Sequence, residues 1–203
     1  EPEPEEGQYL YLPGIGPDTE WAYDHKIEVY YKEEQKYAGI VDVNSKYGNY
    51  AMTLFSSGNE WDTSRMYTIA KDDAASTAES GTLINGQGDN IPAGLYLFDV
   101  SLKELTYKTY ALGDNIYCYY GIENDNSFNP IASTGTAGEY SGTITLATDS
   151  KWGAQFYIEN AWTAFYGGSD GKLYYNGDGI MLKAGTYTIT VNLIDGTYSA
   201  VQQ

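Results

Sequence analysis

The chain has 203 residues, 42% of them hydrophobic, with a formal net charge of -17 and a pI near 4.1. That is one large or two small domains with enough apolar material for a core. The acidity argues against nucleic acid and anionic membrane surfaces as partners, since both need a basic footprint, and no run approaches the roughly 18 apolar residues of a membrane helix.

In chain order, residues 1–7 open with EPEPEE, an acidic, proline-spaced run that cannot pack and reads as a linker or tether end. YLYLPGI (9–15) reads as a first strand. A stretch near 20–36 follows, holding Trp21, Tyr23 and the single histidine, His25. GNYAMTL (48–54) reads as a strand, and Trp61 and Tyr67 come after it. AKDDAASTAES (70–80) has helix formers but no apolar face, so it reads as a solvated loop or one helical turn. A long block at 85–107 closes the first half, and LGDN (112–115) is a short joint.

The second half repeats the first. Residues 85–107 align without gaps on 176–198 at an offset of about 91, with identities that include Asn85/Asn176, Ala93/Ala184, Gly94/Gly185, Tyr96/Tyr187, Val100/Val191 and Tyr107/Tyr198. In the second copy Tyr187, Ile189, Val191 and Leu193 alternate at period two, and Asp195-Gly196 is a hairpin signal. Extended backward, GNYAMTL matches GEYSGTI (138–144), Trp61 faces Trp152, Tyr67 faces Tyr157, and YLYLPGI matches IYCYYGI (116–122), leaving about 17 extra residues in the first copy near 20–36. Short strands, abundant turns and no amphipathic helix predict an all-β chain. The expected architecture is two tandem antiparallel β-sandwich domains of immunoglobulin-like type, at residues 8–112 and 113–203.

Catalytic signatures are poor. One His and one Cys exclude an all-His/Cys zinc site, and no Ser/His/Asp arrangement can be built around His25. Cys118 sits in a strand-like run and reads as a small buried hydrophobe. ENDNSFNP (123–130) lacks the sixth-position Gly and twelfth-position Glu of an EF-hand and reads as a solvated loop. GQGDNI (86–91) lacks the third glycine of a dinucleotide fingerprint, and Pro92 blocks the helix it needs. Nothing selects two of the 28 acids as a glycosidase pair. The expectation is a protein that is not an enzyme, with no cofactor and no metal.

Tyrosine is in excess, 22 against 5 Phe, and suits surfaces that are apolar at one end and wet at the other. KWGAQFYIENAWTAFYGG (151–168) places Phe156 and Ile158 on the core side of a strand. Gln155 and Tyr157 fall on the opposite face, and Trp162 and Tyr166 in the loop beyond. A pyranose offers a face of C–H bonds on which aromatic rings stack, and a rim of hydroxyls that amide and charged side chains reach. Trp152, Trp162, Tyr166, Lys151 and Asn160 supply these types in the second copy, and Trp61 and Trp21 in the first.

YLYLPGIG near the start of a repeat, WGAQFYIENAWTAFYG in its centre and DGKLYYNGDGIMLKAGTYTITVNLIDGTYSA at its close resemble the SusE/SusF-like outer-membrane lipoproteins of Bacteroidetes glycan-uptake systems, over nearly the whole chain and twice. The resemblance implies a cell-surface protein of tandem β-sandwich modules that binds polysaccharide without cleaving it. It would be tethered to the outer membrane through a lipidated Cys upstream of EPEPEE, beside a SusC-like transporter and a SusD-like binding protein. The alternative is a structural or adhesion tandem with a protein partner. Of the two copies, the second is expected to carry the stronger site, because on the offset of 90 to 91 Trp162 falls opposite Lys71 or Asp72, and Tyr166 opposite Ala75 or Ser76.

Overall fold

Period-two alternation sets the strands. Along the strand Gly185–Asn192, Tyr187, Ile189 and Val191 are buried, while Thr186, Thr188 and Thr190 between them are partly exposed. The computed structural model describes residues 7–15, 23–44, 50–52, 54–70, 73, 79–86 and 90–203. Residues 1–6 of the expected tether, Trp21, and most of 70–80 lie outside the described residues.

The chain divides into two units, Glu1–Ala111 and Leu112–Gln203. The first holds β1 (Tyr9–Tyr11), β2 (Lys26–Tyr31), β3 (Lys36–Val43), β4 (Tyr50–Met52), β5 (Leu54–Ser56), β6 (Met66–Ile69), β7 (Ser80–Asn85), β8 (Asn90–Pro92), β9 (Gly94–Ser101) and β10 (Thr106–Ala111). The second holds β11 (Asn115–Tyr119), β12 (Phe128–Ser133), β13 (Glu139–Leu146), β14 (Gln155–Tyr157), β15 (Phe165–Ser169), β16 (Lys172–Tyr175), β17 (Gly185–Asn192) and β18 (Thr197–Gln202). Among the described residues helical structure amounts to short 3-10 turns such as Thr63–Arg65 and α-helical backbone at Asp73, and no helix is long and apolar enough to cross a membrane.

Hydrogen bonding orders the first sheet β1-β2-β3-β9-β10-β7-β6-β5, and Tyr11 of β1 pairs with Ser56 of β5 to close it. The second runs β11-β12-β13-β17-β18-β16-β15-β14, closed by β11 on β14 through Tyr117↔Tyr157, Cys118↔Phe156 and Tyr119↔Gln155. With β4 and β8 set aside, which pair with each other, the two orders are the same. The antiparallel all-β reading stands. The immunoglobulin-like sandwich is corrected: the fourth barrel strand pairs back onto the first, so each sheet is one barrel-like ring instead of two facing sheets. The interiors are apolar, with Leu10, Ile27, Phe55, Phe98 and Val100 in one and Ile116, Cys118, Ile144, Phe156 and Val191 in the other, all under 2% exposed. Burial pushes the Cys118 thiol up, as for an inert core cysteine.

The offset of 91 holds at the closing hairpin. Tyr96 donates its hydroxyl to the Pro92 carbonyl and Tyr187 to that of Lys183, both at 3.1 Å. Earlier in the repeat the alignment needs correction. The counterpart of β13 is β3, not residues 48–54. Tyr37 and Tyr140 each donate to the carbonyl of a glycine just before the first strand, Gly7 at 3.1 Å and Gly113 at 3.0 Å. Gly39 and Gly142 each lie where an added Cβ would come within 2.8 and 2.9 Å of Ile27 and Ile131. The stretch near 20–36 is therefore no insertion, since it holds β2, which occupies in its own sheet the place that β12 has in the second. Extra length in the first unit lies in connections instead: ten residues, 70–79, link β6 to β7, where two, Asp170 and Gly171, link β15 to β16. Short Tyr- and Gly-rich strands match one another at several registers, which is why the sequence alone misplaced the pairing.

Candidate functional site

Residues that pair directly across a sheet point to the same side. In the second unit Cys118 and Phe156 face the interior, both 0% exposed. Tyr119, paired with Gln155 and Phe128, and Tyr157, paired with Phe165, therefore face outward. An outer barrel face exposed to water is ordinarily polar. Here it carries a cluster in which Phe128 meets Tyr157 edge-on at 5.1 Å and Tyr157 tilts against Phe165 at 5.2 Å.

Trp162 covers this cluster. It stands on the β14–β15 connection, closed at its base by the Ile158 amide donating to the Ala164 carbonyl at 3.0 Å, both residues buried. Its ring lies 4.9 Å from Tyr119, 4.9 Å from Phe128 and 5.4 Å from Tyr157, at interplanar angles of 69–88°. It nonetheless keeps 57% of its surface exposed. Tyr119 and Tyr157 become buried beneath it, and burial raises both phenol pKa values, with Asp125 adding to the shift at Tyr119 and Tyr119 at Tyr157. Asn160 is exposed on the same connection.

Trp152 is fastened to the other end of the β11–β12 connection. The amides of Lys151 and Trp152 both donate to the Gly121 carbonyl, at 2.7 and 3.0 Å. Gly121, Gly153 and Gly179 bring three connections into backbone contact: a Cβ on Gly121 would lie 2.2 Å from the Gly153 carbonyl oxygen, and one on Gly153, whose φ is +81°, 2.2 Å from the Gly179 carbonyl carbon. Ala154 and Ile180 bridge alongside. On this rigid base Trp152 is 52% exposed, and the Lys151 ammonium lies 5.1 Å over its ring while pairing with Glu123. Asp125, two residues on, accepts from the Ser127 amide at 2.9 Å, which holds its carboxyl below the usual range.

The expected residues thus divide. Lys151, Trp152, Asn160 and Trp162 are exposed on connections of one unit; Trp152 is anchored on the 120–127 connection and Trp162 on Tyr119 and Phe128, the strand residues that flank it. Tyr166 is a correction: it pairs with the interior-facing Phe156, is 4% exposed and packs on Tyr175, so it offers no stacking face. Trp61 is also re-placed. It is 50% exposed on the β5–β6 connection, the one equivalent to that of Trp162, and so is not the counterpart of Trp152. On the strands the first unit differs, with Ser56 where the second has Tyr157; Tyr11 meets both Tyr9 and Tyr23 edge-on, and Lys26 lies 4.0 Å over Tyr9. Trp21 lies outside the described residues. Residues the sequence reading did not single out are Tyr119, Phe128 and Glu123. Tyr119 had a signal, an aromatic at each outward position of IYCYY (116–120).

Residues 8–111 match the family described as Domain of unknown function (DUF8037), which is half of the chain. The chain belongs to this family. No curated protein matches this DUF8037 chain. Among solved structures, that of SusF from Bacteroides thetaiotaomicron is similar at a TM-score of 0.56 and 16% identity, over 96% of the DUF8037 chain and 47% of SusF. The likeness is one of fold, and the chain spans about half the length of SusF.

Proposed function

We propose that this protein binds polysaccharide without cleaving it. The observation that carries the reading is Trp162, more than half exposed yet held by three rings, on a unit that carries a second exposed tryptophan with a Lys–Glu pair at its edge. A held aromatic face loses little freedom on binding, so stacking on a sugar's C–H face is not offset by ordering. Asn160, Lys151 and Glu123 supply donors and acceptors for ring hydroxyls. The SusF-like fold supports the same reading, as does the resemblance to glycan-uptake lipoproteins. In that setting the protein works at the bacterial cell surface, tethered to the outer membrane by a lipid upstream of Glu1, beside a SusC-like transporter and a SusD-like binding protein.

The test is affinity electrophoresis and calorimetry against a panel of plant and bacterial polysaccharides, followed by Trp162→Ala and Trp152→Ala on any glycan retained. Loss of retention with the fold intact supports the proposal. Retention of no glycan, with capture of a protein partner by the same face, favours the adhesion reading, for which the 66% exposed Met181 next to Ile180 is the supporting observation.

A further inference from the structure

Charge around the tryptophans is lopsided. The connections at 120–127, 147–154 and 158–164 hold one cation, Lys151, against Glu123, Asp125, Asp149 and Glu159. Asp149 is matched by Lys183 at 2.8 Å, and Lys151 by Glu123, which leaves Asp125 and Glu159 without a cation partner among the described residues. Asp125 stays ionised at neutral pH, its carboxyl held low by the Ser127 contacts, and it lies close enough to Tyr119 under Trp162 to raise that phenol.

Donor and acceptor chemistry points the same way. The Lys151–Glu123 pair sets N–H donors beside carboxylate acceptors at the rim of Trp152. A pair of neighbouring sugar hydroxyls satisfies both, since each hydroxyl donates and accepts. A uronate or sulfate only accepts. To use Lys151 it must displace Glu123, and it then leaves that carboxylate facing a like charge.

Resting on the glycan-binding reading, we infer that the second unit selects uncharged sugars and rejects uronate-bearing and sulfated ones, with Glu123 as the residue that sets the rejection. Glu123 acts in two ways: it occupies the nearest cation, and it demands a donor from the ligand. Exposed charges are screened by salt, so this discrimination is ionic-strength dependent, whereas stacking on the tryptophans is not.

The experiment uses the full chain and a matched pair: a neutral polysaccharide that it retains, and the same polymer oxidised at C6 to the uronate. At low salt the oxidised polymer should bind at least about tenfold more weakly, the gap should narrow at 0.5 M NaCl, and Glu123→Gln should narrow it at low salt, read as the ratio of the two polymers' affinities for the same protein. Equal or tighter binding of the oxidised polymer overturns the inference. So does a gap unchanged by both salt and Glu123→Gln, which assigns it to the lost C6 hydroxyl. If no polymer of either kind is retained, the glycan reading itself fails, an outcome distinct from binding without charge discrimination.

Discussion

The ring of Trp162 stands at 88° to that of Tyr157, their centroids 5.4 Å apart, on the outside of a barrel whose interior begins one residue earlier at Phe156. The contact gives an exposed tryptophan the fixity of a core side chain. It also ties the site to the sheet, since Tyr157 is a rung of the β11–β14 pairing that closes the ring.

Replacing Trp162 with Ala should therefore act on both binding and stability. Loss of a stacked ring at a binding hot spot costs about 2 kcal/mol, roughly 30-fold in affinity. Loss of its edge contacts should destabilise the second unit by about 1–2 kcal/mol, several degrees in thermal midpoint. Calorimetry with ligand and without separates the two. A lowered midpoint with unchanged affinity would make the ring structural only.

Trp61→Ala in the full chain should weaken glycan binding less than Trp162→Ala. The two tryptophans occupy equivalent connections, but Ser56 lies where Tyr157 supports the second, so the first is held differently. Isothermal titration of both variants against the same glycan decides it, and an equal or larger loss at Trp61 reverses the ranking.

Gly153→Ala should destabilise the second unit by more than about 2 kcal/mol, because φ is +81° and the new methyl meets Gly179 backbone that cannot retreat. Gly135→Ala, at φ +91° with open space around it, should cost only about 1 kcal/mol from backbone strain. Chemical denaturation of the two variants side by side reads the difference.

Tyr140→Phe should remove the hydrogen bond to the Gly113 carbonyl and cost about 1 kcal/mol, measured as a shift of the urea midpoint. Tyr37→Phe should do the same in the first unit, where the acceptor is Gly7.

Alkaline pH should unfold the protein. Burial raises the phenol pKa of Tyr37, Tyr140 and Tyr157 above the reference of 10.0. A group whose folded pKa is raised contributes stability that is complete below its unfolded value and lost as pH rises through the folded one. The thermal midpoint should thus fall from about pH 10 upward. Part of the tyrosinate absorbance should appear only with unfolding. Full ionisation of all 22 tyrosines near pH 10 in a folded protein would contradict this.

What could be read from sequence follows from pattern length. The block at 185–192 is eight residues of clean alternation next to an Ala-Gly pair that both copies share, and its counterpart at 94–101 is found by simple offset. β14 is three residues long, too short to fix a register by pattern, so Trp152 was matched to Trp61 when the strand order matches Trp61 with Trp162. Tyr166 failed for a related reason. Placed in a loop, it looks exposed, but it is the second residue of β15 and pairs with Phe156. Ring closure left no sequence trace, because pairing of the fourth strand on the first is a contact between residues about 40 apart with no shared motif. Exposure of Trp162 and Trp152 was legible, since both sit among Gly, Asn and Lys rather than in an alternating run.

Closure of the second sheet has a consequence for crowding. A ring of eight strands has no strand wholly unpaired on one side, so the backbone open to a neighbouring copy is confined to short seams such as that of β16 and β18, which pair at Lys172↔Thr197. Contacts between copies then run mainly through side chains, and a chain carrying -17 charges repels its own kind. Molecules of this design can be set close together in large numbers and stay separate, each keeping its tryptophans free.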